Sequence, residues 1–587
     1  MTVVGNEPQR ISTGGFERTT GAAPPAGSRR WPRRQTWLAL LLAGVVFLIF
    51  WAYVPLNMDE YVSYQTLACL THPFSKENTF NCPCAAFYLR VLGRFRLPLL
   101  SYDYIGSLSS LLYAPLYFVW PSPVSARLTG VIALLVQALV LGRMFRFSPA
   151  AAFCCLLLFA PYSFVHIADT GPVAFQTTSV FLVCYLLRRW LLCRRRGRRA
   201  LLAAAAGLVI ALGCWVKPTY FFVSFGLAAT AFAVGWLALA RRHGDRIFRL
   251  LEYGLLTAAA ALPALLIYQA ERPNGGPYLP VLSSQYVPSQ IVLTDLGRRF
   301  TENVFPFLIN PLAAVSPCFD VHPELPALGV AVFALGCGLV LGGAFRRRAC
   351  RRHRAEVLFN AALFASALLL VATNVYAKSM HHAVLAYPFA ILAAARSIRL
   401  LPPGFPARAV LPLFLALQTP VFALFPSMLE ASRQAGSCKP YAARLNDDLN
   451  EHCASDSVIA CADWGIYFIK ALYGPREQVV LSLRPSDDPT QLPRAAAVAR
   501  RFHRDLTLVG LRNNPELTAW LRSFHPDVAA RTGPGDGSPW RIWRIPYREL
   551  EAAADVPAAG PASRAPAVLA GLDPESGAFN PGGTGRD

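Results

Sequence analysis

Residues 171–216 read GPVAFQTTSVFLVCYLLRRWLLCRRRGRRALLAAAAGLVIALGCWV. Two apolar runs, 171–189 and 200–215, flank an arginine-dense stretch, Arg188–Arg199. A run of about 20 apolar residues crosses a hydrocarbon core of roughly 30 Å as a helix, and cationic clusters beside such runs mark the cytoplasmic side. The segment therefore predicts a helical hairpin with its turn inside. The same pattern repeats outward along the chain. Runs 126–142 and 148–166 flank Arg143 and Arg146, and runs 218–240 and 250–268 flank Arg241, Arg242, Arg246 and Arg249. Runs 326–345 and 356–375 flank Arg346–Arg354, and runs 383–399 and 409–426 follow, with Arg396 and Arg399 at their junction.

A first run, 37–53, comes after Arg29, Arg30, Arg33 and Arg34, which hold a polar tail, residues 1–36, in the cytoplasm. This tail is read as disordered, and the run as an anchor without a cleavage site. The alternation predicts a mostly α fold: a polytopic membrane helix bundle of about 11 spans. The transmembrane domain covers 37–429, with long external loops at 54–125 and 269–325. Within the first loop, Tyr104–Trp120 is apolar; it reads as a helix lying at the interface, the alternative being a further span that would put Arg143 and Arg146 outside.

An odd number of spans puts the C-terminus outside. From residue 430 hydropathy falls, and strand-like runs appear at Ser457–Ala462, Gln478–Leu483, Leu506–Leu511 and Trp540–Ile545. Asn514-Pro515 reads as a helix start. Residues 430–550 are thus expected to form a small extracytoplasmic α/β domain, and the Ala/Pro/Gly-rich 551–587 a disordered tail.

Composition agrees. The chain has 587 residues, 54% hydrophobic and only 15% charged, as membrane proteins read. The net charge of +22 falls in clusters between apolar runs, so it is a topology signal and argues against nucleic-acid binding. Among the cysteines, Cys154, Cys155, Cys184, Cys214 and Cys337 lie in or near spans, where a thiol acts as a small apolar group. Cys69, Cys82, Cys84, Cys438, Cys453 and Cys461 fall in external segments, where disulfides are permitted, Cys69 with Cys82 or Cys84 being the nearest pairings. A zinc site from Cys82-Pro83-Cys84 and His72 is the lesser alternative, since that spacing is not a zinc signature.

Three external segments carry residues suited to chemistry. Asp59-Glu60 follows the first span; a carboxylate at the rim of a low-dielectric cavity suits a general base or a metal ligand, and the alternative is a solvated pair opening a helix. Asp169 stands in the short outer turn before Gly171-Pro172. Lys378 and the pair His381-His382, followed by Tyr387-Pro388, form an outer cationic cluster in a protein whose positive charge is otherwise inside. Lys217 is a second exception. Cations placed against that bias suggest an anion to bind, phosphate above all, although paired histidines also suit a metal. Acids and cations on one face fit transfer of a group from a lipid-linked phosphate donor, with a carboxylate deprotonating the acceptor and cations stabilising the departing phosphate. The competing class is a transporter or flippase of a lipid-linked or anionic substrate. Against it stand few polar residues within spans and no visible duplicated half.

In their order and sidedness these motifs resemble the C-type-fold (GT-C) membrane glycosyltransferases, the superfamily of the protein O-mannosyltransferases and aminoarabinose transferases (families 39 and 83). The resemblance is carried by Asp59-Glu60-Tyr61, Asp169-Thr170-Gly171-Pro172, Val216-Lys217-Pro218, Lys378 to His382 with Tyr387-Pro388, and Ala462-Asp463-Trp464-Gly465-Ile466. It implies an inverting transfer from a polyprenyl-phosphate sugar to a glycan, lipid or protein acceptor. Asp59 would be the base, with Glu60 and Asp169 orienting the base or the acceptor. Lys217, Lys378 and His381, with His382 beside it, would bind the donor phosphate. No essential metal or other cofactor is implied, since neither loop has an Asp-X-Asp pair. Pro218 stands where the family has Gly, and His381-His382 where many relatives have bulky aromatics. The expected location is a bacterial inner membrane, with the C-terminal domain periplasmic; this rests on the Ala/Arg/Pro-rich composition and the lack of an ER retrieval signal.

Overall fold

A computed structural model describes residues 88–91, 95–102, 105–159, 171–217, 220–233, 243–271, 324–345, 351–373, 384–400, 453–462, 464–474, 478–483, 491–511 and 540–552, with 40–45, 449–451 and some single residues besides. Two short antiparallel hairpins come first, β1 (Tyr88–Val91) with β2 (Phe95–Pro98) and β3 (Leu100–Tyr102) with β4 (Ile105–Gly106). Both hairpins fall within the external loop expected over 54–125, where the sequence predicts no strands. Helix α1 (Leu108–Val119) follows, then α2 (Pro123–Phe145) and α3 (Pro149–Leu156). The bundle continues with α4 (Pro172–Leu192), α5 (Arg196–Val216), α6 (Tyr220–Ala233), α7 (His243–Glu271), α8 (Glu324–Phe345) and α9 (Arg351–Thr373). A 3₁₀ turn, Val384–Ala386, leads into α10 (Tyr387–Leu400).

The helices occupy most of the apolar runs, and two differences are informative. Over the expected span 148–166, regular helix stops at Leu156, and Leu157–Phe159 form a turn. The stretch 104–120 begins with a strand and holds a helix of only 12 residues, about 18 Å long. That is too short to cross a bilayer. Among the described residues, Ser125–Phe145 and Arg196–Val216 are long and apolar enough, taken alone, to cross one. The count of about 11 draws on runs such as 409–426 that lie largely outside the described residues.

Side chains at the helix ends show how the bundle is oriented. Arg188, near the end of α4, donates from Nη1 to the Met144 carbonyl of α2 at 2.7 Å and pairs with Glu356 of α9 at 3.5 Å. Arg396, near the end of α10, pairs with the other oxygen of Glu356 at 3.0 Å. Both guanidiniums face the Phe145 ring, at 5.4 and 6.0 Å. Arg199, at the start of α5, pairs with Glu252, near the start of α7, at 2.9 Å, and the Trp190 indole donates to the same carboxylate at 2.8 Å. Thus α2, α4 and α10 end where α5, α7 and α9 begin. Arg188, Arg199 and Arg396 therefore lie at one end of the bundle.

Outward faces are apolar. Leu201, Leu208 and Leu212 of α5 and Leu251, Leu255, Leu262 and Leu265 of α7 are exposed. A strip of this kind is anomalous on a water-soluble surface and natural against acyl chains. Where α5 meets α7, Gly207 lies against the Leu256 carbonyl so closely that a Cβ would collide; small residues let helix backbones approach in this way. One polar seam runs inside. Buried Gln137 of α2 donates to Thr178 of α4 at 2.9 Å, and both Thr177 and Thr178 bond back to carbonyls of their own helix. The sequence reading, which counted few polar residues in spans, had not separated this seam.

The remaining elements form a four-stranded sheet in the order β6-β5-β7-β8, where β5 is Val458–Cys461, β6 Val480–Ser482, β7 Leu506–Leu511 and β8 Trp540–Ile545. β5 runs parallel to both neighbours and β8 antiparallel to β7. Helices α11 (Trp464–Tyr473), α12 (Gln491–Arg501) and α13 (Tyr547–Ala552) pack around it. Leu517 and Leu521, in the stretch read as a helix after Asn514-Pro515, are helical and buried in the same core. Cys453 and Cys461 are both buried, while Cys69, Cys82, Cys84 and Cys438 lie outside the described residues. Burial pushes the Cys453 thiol up to about 11, partly offset by nearby Lys470. It likewise pushes the Lys470 amine down. The sheet docks on α1, at the end of the bundle away from the paired arginines. Tyr117 donates to the Leu472 carbonyl at 2.6 Å, and Tyr113 and Tyr473 hydroxyls meet at 3.3 Å. Tyr64 stacks on Tyr113 with ring centroids 4.4 Å apart.

Candidate functional site

Of the residues singled out by sequence, the structure describes Lys217. Asp59, Glu60, Asp169, Lys378, His381 and His382 lie outside the described residues. Lys217 follows α5 directly, at the end opposite the paired arginines. The 21 residues of α5 separate the two ends by about 31 Å. The residue is extended, with φ −158° and ψ 124°, and only 3% exposed.

Its main chain is held from several sides. The Lys217 N–H closes α5 on the Gly213 carbonyl at 3.2 Å, and its own carbonyl accepts from the Tyr220 N–H of α6 at 3.1 Å. The same carbonyl accepts from Gln176 Nε2 at 2.9 Å, a buried side chain near the start of α4. Two residues back, the Trp215 indole donates to the Leu99 carbonyl at 2.8 Å, between β2 and β3. Gly106 of β4 sits on the Trp215 carbonyl, where a Cβ would overlap the oxygen. Ser107 then ties the hairpin to itself, its N–H reaching Leu99 at 3.1 Å and its hydroxyl the Pro98 carbonyl. Helices α4, α5 and α6 and the β3–β4 hairpin together fix where the Lys217 side chain starts.

Neighbouring elements lead toward the other candidates. Helix α4 begins at Pro172, three residues after Asp169, and Gln176 is on its second turn. The 3₁₀ turn Val384–Ala386, which begins two residues after His382, packs on α4 and α9. Sequence reasoning found Lys217 as a cation out of place, but not Gln176, Trp215 or the hairpin that hold it. The only signal was the polar run Gln176-Thr177-Thr178-Ser179 opening an otherwise apolar helix.

No family model matches the chain, and no curated protein matches it. The solved structures similar to this chain include two of one protein. One is ArnT from Cupriavidus metallidurans bound to undecaprenyl phosphate, 12% identical over 87% of this chain and 97% of that one, with a TM-score of 0.42. The other is ArnT from the same organism in the apo state, 11% identical over 88% of this chain and 99% of that one, also at 0.42.

Proposed function

We propose that this chain is a membrane glycosyltransferase that moves a sugar from a polyprenyl-phosphate donor to an acceptor hydroxyl on the extracytoplasmic face. The observation that carries the reading is Lys217: a buried cation fixed by three helices and a hairpin, at the end of the bundle opposite the paired arginines. The positive-inside bias makes that end the external one. In the reaction the Asp59 carboxylate takes the acceptor proton, and the acceptor oxygen attacks the anomeric carbon from the face opposite the phosphate. The bond from that carbon to the phosphate oxygen breaks, and the polyprenyl phosphate leaves with the electron pair. Lys217, Lys378 and His381, with His382 adjacent, stabilise the charge that develops there. Glu60 and Asp169 orient the acceptor and the base, and the chemistry uses no metal. The anomeric configuration inverts.

A transporter or flippase would draw instead on the Gln137–Thr177–Thr178 seam. Gln137, however, hydrogen-bonds to both threonines, and the threonines bond back to carbonyls of their own helix, which is how interhelical polar contacts stabilise a bundle.

The test is transfer by purified full-length protein from radiolabelled polyprenyl-phosphate sugars, with the product's anomeric configuration determined. General-base removal in Asp59→Asn is expected to lower the rate by about 10²-fold or more. Transfer at the wild-type rate by Asp59→Asn would sink the assignment of the base.

A further inference from the structure

Helix α1 (Leu108–Val119) has no part in the proposed chemistry, yet its two faces are unusual. None of its side chains is charged. Ser109, Ser110, Tyr113 and Tyr117 are buried. Leu112, Phe118 and Val119 are 51%, 60% and 86% exposed, and Pro115 is exposed with them. At 3.6 residues per turn the hydroxyl-bearing residues share one arc and the exposed ones the opposite arc. A surface helix in water turns its polar side outward; this one turns it inward. Trp120, which ends the helix, is exposed as well, and tryptophan is enriched where a membrane meets water.

The inward face is occupied by protein. Tyr117 donates to the Leu472 carbonyl and Tyr113 meets the Tyr473 hydroxyl, both on α11 of the sheet domain. Tyr113 also meets Ser125 at the start of α2, and Ser110 meets Ser101 of β3 at 3.2 Å. Because the β3–β4 hairpin rests on Trp215, α1 is level with the Lys217 end of the bundle. It packs on α2 and α5, whose outward residues Ile132, Leu208 and Leu212 are exposed and apolar. The exposed face of α1 therefore adds to the apolar surface of those helices at their end opposite the paired arginines. Acyl chains are the partner that an uncharged face in this position fits.

We propose that α1 beds its apolar face among the acyl chains of the outer leaflet and, through its tyrosine hydroxyls, seats the sheet domain on the membrane. This rests on the membrane reading, with the Lys217 end outside, and not on the glycosyltransferase reading. It is tested in full-length protein with photoreactive p-benzoylphenylalanine in place of Phe118, Leu208 or Arg548. Each protein is irradiated in nanodiscs of phosphatidylglycerol and phosphatidylcholine, and adducts are identified by mass. Leu208 faces outward near the middle of α5, whereas Arg548 is exposed on α13, across the sheet from α1. Phospholipid adducts are expected at Phe118 and Leu208 and are lost at Arg548. Separately, Tyr117→Phe is expected to speed amide hydrogen exchange in α11 several-fold, as loss of one buried hydrogen bond predicts, while the Phe118 adduct persists. An adduct at Leu208 without one at Phe118 overturns the proposal, as does a Phe118 cross-link to a second copy of the chain in place of lipid. Equal adducts at Phe118 and Arg548, or unchanged exchange in Tyr117→Phe, overturn it too. Adducts at neither Phe118 nor Leu208 overturn the membrane reading and the proposal with it.

Discussion

The two ends of the helix bundle handle positive charge in different ways. At the arginine end three cations are answered inside the protein: Glu356 lies between Arg188 and Arg396, and Glu252 between Arg199 and Trp190. These contacts join helices distant in sequence and fix their relative direction. At the other end Lys217 is placed through its main chain, by Gln176, Tyr220 and Gly213, with the β3–β4 hairpin braced on Trp215. One arrangement assembles the bundle; the other aims a side chain. Substitutions at the first end should therefore act on stability, and at the second on the reaction.

The sharpest way to break that contrast is Glu252→Gln. It leaves Arg199 buried without its close carboxylate and is expected to cost about 3–5 kcal/mol, read as a lower unfolding midpoint in detergent. If stability is unchanged, the charge network is not what joins α4, α5 and α7. Next in size is Lys217→Ala. Loss of a charge-assisted contact to phosphate of about 1.5–3 kcal/mol raises the donor KM roughly 10- to 100-fold, with little change in the midpoint. A collapse in stability without a kinetic effect would make Lys217 a structural residue and erase the distinction between the ends. The smallest effect belongs to Gln176→Leu, which removes one of two hydrogen bonds to the Lys217 carbonyl. The expected change is about 1 kcal/mol, appearing mainly as a several-fold rise in donor KM. An unaltered KM would mean that Tyr220 alone suffices to hold the turn.

How much was legible in advance depends on the range of the contacts. The strands at Val458–Cys461, Leu506–Leu511 and Trp540–Ile545 were visible because short apolar or alternating runs declare themselves locally. The hairpin of Tyr88–Val91 with Phe95–Pro98 was not, since Arg90 and Arg96 interrupt its pattern and face each other across the pair. Lys217 was found because a cation outside the inside-facing clusters is conspicuous in sequence. Its support was hidden, because Gln176 lies 41 residues away and the Trp215 partner, Leu99, 116 residues away.

The sequence by itself determined the alternation of helices and the gathering of arginines at one end, because hydrophobic length and charge placement act on each segment separately. Only the tertiary structure decided which cations are paired and what fixes Lys217. Those outcomes depend on which side chains of distant helices come within hydrogen-bonding reach, and no local pattern encodes that.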